Sequence, residues 1–126
     1  MTRPVCIDHL TLPVRDLAAS RAFYAAALGA LGWSEHSVDG MPTWGPRGAE
    51  DFSIAEGDPP AQGMHIAFLA EDRERVAAFH TAGLAAGGRD HGAPGEREQY
   101  HAGYYAAYLL DPDGNNIELV NHHRAG

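Results

Sequence analysis

A chain of 126 residues, 44% hydrophobic and 21% charged, suits one folded domain with its own core and is too short for two independent ones. Seventeen acidic against nine basic residues give a net charge of −8, which argues against nucleic acid or an anionic membrane as partner. A lone Cys6, no apolar run near the roughly 20 residues of a bilayer span, and no apolar leader together predict a cytoplasmic protein.

Residues 7–13 alternate as a strand does, with Ile7, His9 and Thr11 on one face and Asp8, Leu10 and Leu12 on the other. Asp16 then stands as an N-cap before Leu17, Phe23, Tyr24, Ala27 and Leu28, a helical stripe closed by Gly29 and Gly32. Three short strands are predicted around 34–38, 41–44 and 51–56, separated by Gly and Pro.

The pattern then restarts. Sliding the chain by 56 positions lays His9 on His65, Asp16 on Asp72, Phe23 on Phe79, Leu28 on Leu84 and Gly32 on Gly88. Of the 24 positions from His9 to Gly32, 8 are identical without a gap, and His, Asp and Phe are not common residues. A repeat of about 56 residues follows, each unit reading strand, helix, then three strands. The second unit closes with a strand over 104–110, the turn Asp111-Pro112-Asp113-Gly114 and a strand over 115–121. That turn has Pro at its first central position and Gly where φ must be positive, so a hairpin is predicted.

Two strand histidines at equivalent positions of two repeats meet if the repeats pack about a pseudo-twofold axis. The last strand offers Glu118, and overlaying Phe52-Ser53-Ile54 on Ile117-Glu118-Leu119 puts Ser53 opposite it. The four symmetric inward positions therefore read His9, Ser53, His65 and Glu118. Two imidazoles and a carboxylate leave coordination positions open for water or a chelating substrate, as a catalytic metal site requires. A packed or surface histidine is the commoner fate of any one of these residues; their joint placement favours the metal.

The string Ile7-Asp8-His9-Leu10-Thr11-Leu12, with Asp16 and Phe23-Tyr24 after it, resembles the opening of the glyoxalase/bleomycin resistance/dioxygenase (vicinal oxygen chelate) superfamily. Gly63-Met64-His65-Ile66-Ala67-Phe68 resembles the same opening in the second half, and Asp111-Pro112-Asp113-Gly114-Asn115-Asn116-Ile117-Glu118 resembles the closing motif. The resemblance covers nearly the whole chain. It implies an α+β fold of two paired βαβββ modules, about 5–60 and 61–122, forming a curved mixed sheet around a cleft, in a homodimer. It implies one divalent metal ion (Zn, Ni, Mn or Fe) and a small substrate bound through vicinal oxygens, in lyase, isomerase or thiol-transferase chemistry. Glyoxalase I and the epimerases carry a fourth side-chain ligand where this chain has Ser53. Two His and one Glu match the fosfomycin thiol transferases and the extradiol dioxygenases. A metal-free protein that sequesters a small molecule, as bleomycin-resistance proteins do, is the alternative.

The stretch from Glu96 to Tyr105 is the densest in polar and aromatic residues, and Gly95 and Gly103 bracket it as a cover over the cleft. His101 and Tyr100 are its candidate general acid or base, with Tyr104 and Tyr105 against the substrate. Trp44 and Ser53 are further candidates for the substrate pocket. His122-His123-Arg124 reads as a frayed tail, and His36, His80 and His91 as structural residues.

Overall fold

The computed structural model describes residues 7–46 and 49–122. Cys6, His123 and Arg124 lie outside the described residues. The chain runs β1 (Leu10–Val14), α1 (Leu17–Gly29), β2 (His36–Val38), β3 (Met41–Trp44), β4 (Phe52–Glu56), then β5 (His65–Leu69), α2 (Arg73–Ala85), β6 (Arg89–Glu96), β7 (Tyr104–Leu110) and β8 (Asn116–His122). The second half repeats the first. Both helices have 13 residues and start 56 positions apart. Each opens on an aspartate whose side chain accepts from the backbone N–H three residues on, Asp16 from Ala19 and Asp72 from Arg75.

Each module builds its own four-stranded mixed sheet, in the order β1-β4-β3-β2 and β5-β8-β7-β6. The two paired βαβββ modules expected from the sequence are both present, each with its own mixed sheet. In both, the first strand pairs in parallel with the last, because the helix between them makes the crossover a parallel pair needs.

Alternation along the strands sorts side chains to two faces. Leu12, Val14, Trp44, Phe52 and Ile54 join Phe23, Tyr24, Ala27 and Leu28 of α1 in the core. Phe68, Ala107, Leu109, Ile117 and Leu119 do the same for Val76 and Phe79 of α2. One core serves both modules. Gly83 permits the contact, since a Cβ there would sit 2.3 Å from Leu109 Cδ1 and 3.4 Å from the Phe23 ring. A polar clasp also crosses between modules: Tyr24 on α1 donates its hydroxyl to Asp111 Oδ2 at 2.5 Å. The other Asp111 oxygen accepts from the backbone N–H of Asp113 and Asn115, which fixes the turn between β7 and β8. No helix among the described residues is long and apolar enough to cross a membrane.

Candidate functional site

The face of the second sheet turned away from the helices carries Glu118. Ile117 and Leu119 enter the core on either side of it, so the period of two sends Glu118 outward. Register places it between Ala67 of β5 and Tyr108 of β7. It is nonetheless only 1% exposed. A buried carboxylate needs partners. His65 Nε2 lies 2.7 Å from Oε1, and the Tyr104 hydroxyl donates to Oε2. Burial, then the hydrogen bond and charge of Glu118, push the Tyr104 hydroxyl well above the usual tyrosine range, so it stays a donor. Tyr108 is raised too, first by burial and then by Glu118, with Arg97 opposing.

The first sheet holds the counterpart. Thr11 pairs with Ser53 and Ala67 pairs with Glu118, and Thr11 and Ala67 are themselves one repeat apart. Ser53 is therefore the register equivalent of Glu118, as the overlay of the two closing strands predicts. Thr43 donates to the Met41 carbonyl at 3.0 Å, so the 2.8 Å contact with Ser53 has Ser53 as donor. The first module carries a buried hydroxyl pair where the second carries a carboxylate and a tyrosine.

His9 stands apart from Glu118. It precedes β1 by one residue, because the parallel ladder begins only at Leu10 opposite Phe52, whereas the strand was expected from residue 7. Its side chain is 67% exposed, and its Nδ1 lies 2.8 Å from Asp8 Oδ1. Among the described residues, no group of three or more His, Cys, Asp or Glu is placed to hold a metal ion. Of the three expected ligands, one chain brings together His65 and Glu118 and does not bring His9 to them. A groove of about 390 Å³ runs between the edges of the two sheets, lined by Ile7, Asp8 and Leu10 on one side and Met64, His65 and Ile66 on the other.

The remaining candidates divide by strand face. Tyr104 points to Glu118. Its neighbour Tyr105 takes the opposite face, where it packs against the core beneath the Arg73 guanidinium at 4.6 Å. Trp44 is fully buried in the core with Tyr24 and Phe52, on the face opposite Ser53, so it does not floor a pocket on the Ser53 side. The Tyr100 ring lies 4.8 Å from that of Tyr104, and Tyr100 is 61% exposed at the rim. His101 faces the Ala102 carbonyl through Nδ1 at 2.8 Å, which requires a proton there. Its Nε2, 2.9 Å from His122 Nδ1, is then the acceptor when the ring is neutral. His122 is no frayed tail: it closes β8 opposite Tyr104. Of the histidines read as structural, His80 pairs with Asp90 at 2.8 Å.

Two residues of this face escaped the sequence reading. Tyr108 repeats the phase of Tyr104 four residues on, and that alternation was its available signal. Arg97 lay within the polar stretch, but only the fold turns it toward Tyr108, its Cζ 5.3 Å from the ring centroid.

Residues 6–119 match the family model described as the Glyoxalase/Bleomycin resistance protein/Dioxygenase superfamily. A glyoxalase/bleomycin resistance protein from Albidiferax ferrireducens T118 is 32% identical, with a TM-score of 0.80 over 94% of this chain and all of that one. A glyoxalase/bleomycin resistance protein/dioxygenase family enzyme from Burkholderia phytofirmans PsJN is 21% identical, with a TM-score of 0.69 over 92% of this chain and 98% of that one. A glyoxalase-related enzyme from Fulvimarina pelagi shares the fold at 20% identity, with a TM-score of 0.68 over 91% and 86% of the two chains. Comparison with curated proteins found no match.

Proposed function

The chain belongs to the glyoxalase/bleomycin resistance protein/dioxygenase superfamily, and on that premise we propose that it is a divalent-metal enzyme acting on a small molecule that chelates through vicinal oxygens. The observation that carries the reading is the His65–Glu118 pair: an imidazole nitrogen and a buried carboxylate oxygen 2.7 Å apart on one sheet face. Both donors suit Zn, Ni, Mn or Fe(II). The third ligand is His9 of a second copy. His9 is exposed, sits at the repeat position equivalent to His65, and among the described residues pairs with its neighbour Asp8. Ile7 beside it is 73% exposed and Leu69 on β5 is 53% exposed, apolar surface that dimerisation would cover.

When bound, the cation would supply Lewis-acid stabilisation of negative charge developing on the substrate oxygens. The chain's own residues do the rest. Tyr104 holds the Glu118 carboxylate in one orientation by donating to Oε2, and leaves Oε1 directed at His65. Proton transfer falls to the rim, where the Tyr100 ring packs at a tilt against Tyr104 and His101 shares a hydrogen bond with His122. Ser53, donating to Thr43, faces substrate from the first sheet of the partnering module.

One observation favours a second reading. Both Glu118 oxygens already have donors, which is what a metal-free sequestering protein would show, and a net charge of −8 would favour cationic aromatic ligands. Metal content after purification without a His tag separates the two. About one equivalent of cation per chain supports the enzyme, and none supports sequestration. Activity is then sought with the methylglyoxal–glutathione adduct, with fosfomycin plus thiols, and with catechols, each under Mn, Ni, Fe and Zn.

A further inference from the structure

Arg97 follows β6 directly, and its backbone N–H donates to the Tyr104 carbonyl at 2.7 Å. Its side chain folds back over the sheet. Nη2 donates to the Ala93 carbonyl at 2.7 Å, Nη1 approaches the Glu96 carbonyl at 3.4 Å, and the guanidinium lies over the ring of Tyr108. Two glycines make the space. A Cβ on Gly95 would come within 3.0 Å of Nη1, and one on Gly92 within 3.3 Å of Nη2 and 2.7 Å of the Tyr108 ring. The β6–β7 register shifts at these same positions, between Asp90 and Gly92 and again between Gly92 and Gly95. The bulged, glycine-bearing edge is a slot shaped to one guanidinium.

What the slot omits is a carboxylate. Arg21, Arg73 and Arg75 each pair with an acid, at Glu35, Glu96 and Asp72. Arg97, like Arg15 and Arg89, has no ion-pair partner among the described residues, but it alone of these three is held in a cradle of backbone carbonyls and an aromatic ring. Backbone carbonyls and an aromatic face fix a guanidinium without neutralising it, and they use only part of its five-donor fork. The Tyr108 hydroxyl lies within the electrostatic reach of both Arg97 and Glu118, so the cation borders the face that carries the candidate site.

We propose that Arg97 is an oxyanion subsite, which binds the carboxylate, phosphate or phosphonate group of a substrate whose vicinal oxygens reach His65 and Glu118. The placement of the vicinal oxygens rests on the proposed function; the subsite itself rests on the Arg97 cradle. A planar fork matches two oxygens of such a group, which a lysine ammonium does not. The substrate class is then narrower than vicinal dioxygen compounds: it is those carrying an anionic group at a second end.

The test has one arm free of metal. In chelator-treated protein, the Arg97 side-chain Nε–Hε resonance is followed by NMR during titration with benzoate, phenylphosphonate and neutral benzamide. The expected result is a saturable shift with one or both oxyanions and none with benzamide. In metal-loaded protein, 3,4-dihydroxybenzoate is expected to bind at least tenfold tighter than catechol. Arg97→Gln should erase that preference at unchanged metal content, and Arg97→Lys should keep only part of it. An Arg97 resonance unmoved by either oxyanion, or a preference that survives in Arg97→Gln, overturns the proposal. A chain that binds no metal yet shows the Arg97 shift would defeat the metal reading and leave the oxyanion subsite standing.

Discussion

Tyr104 and Glu118 are joined hydroxyl to carboxylate across β7 and β8, and that contact leaves the second carboxylate oxygen for His65. A carboxylate only 1% exposed depends on such donors, because an unsatisfied buried acceptor carries its full desolvation cost. Tyr104→Phe is expected to destabilise the fold by about 1–3 kcal/mol, the ordinary cost of leaving such a group unpaired. Urea unfolding of the two proteins under chelation measures it. A change within error would mean that the hydroxyl does not support Glu118.

Alkaline pH should be destabilising through the buried tyrosines. Burial, followed by the charge of Asp111, raises the Tyr24 hydroxyl well above its usual value. Burial and Glu118 do the same to Tyr104. An unfolded tyrosine loses its proton near pH 10, whereas these keep theirs, so the unfolded state binds fewer protons above that pH. Their contribution is present in full below about pH 10 and is lost as pH rises from there toward the folded values. The unfolding midpoint, followed from pH 8 to 11, is expected to fall beyond pH 10. Tyr24→Phe should start lower, having lost the Asp111 contact, and decline less steeply. Parallel curves for the two proteins would contradict this.

Ser53 and Glu118 occupy equivalent registers, so one substitution tests whether they serve one centre. Ser53→Glu would supply a second carboxylate to a site assembled from two modules. It is expected to raise cation affinity by at least about tenfold in competition with a chelator, the scale on which anionic ligands act. It should also weaken the metal-free fold, since Ser53 is 6% exposed and an unpaired carboxylate there is costly. Unchanged affinity would place Ser53 outside the metal's reach.

Local chemistry explains what could be read from sequence. The 56-residue period was visible because each module needs the same aspartate cap, the same apolar helix stripe and the same strand phase. Hence both helices fall 56 positions apart, and Ser53 lies opposite Thr11 as Glu118 lies opposite Ala67. The Asp111–Gly114 turn was legible for its Pro and Gly, although its carboxylate also clasps Tyr24, which no local pattern reveals. Strand β6 went unlocated because Gly92, Pro94 and Gly95 dilute the alternation that marks a strand. Position on a central strand points Trp44 to the site, and a place in the polar and aromatic stretch points Tyr105 there. Which face a strand turns to the core depends on the register, and the register sends both to the helix side. His9 was read from its repeat position, which is sound within each module and does not fix how one module meets another.

The proposed metal centre is a cation held by His65 and Glu118 of one copy and His9 of another. The direct measurement is metal content per chain for His9→Ala, for Glu118→Gln, and for their purified mixed dimer carrying one chain of each. In the mixed dimer, one interface collects both defects and the other is intact. Each variant alone should then retain little cation, and the mixed dimer should hold about one cation per two chains. A mixed dimer as empty as its parents, beside a wild-type chain that binds cation, would show that the ligands come from one chain, and a wild-type chain that binds none would remove the metal centre altogether.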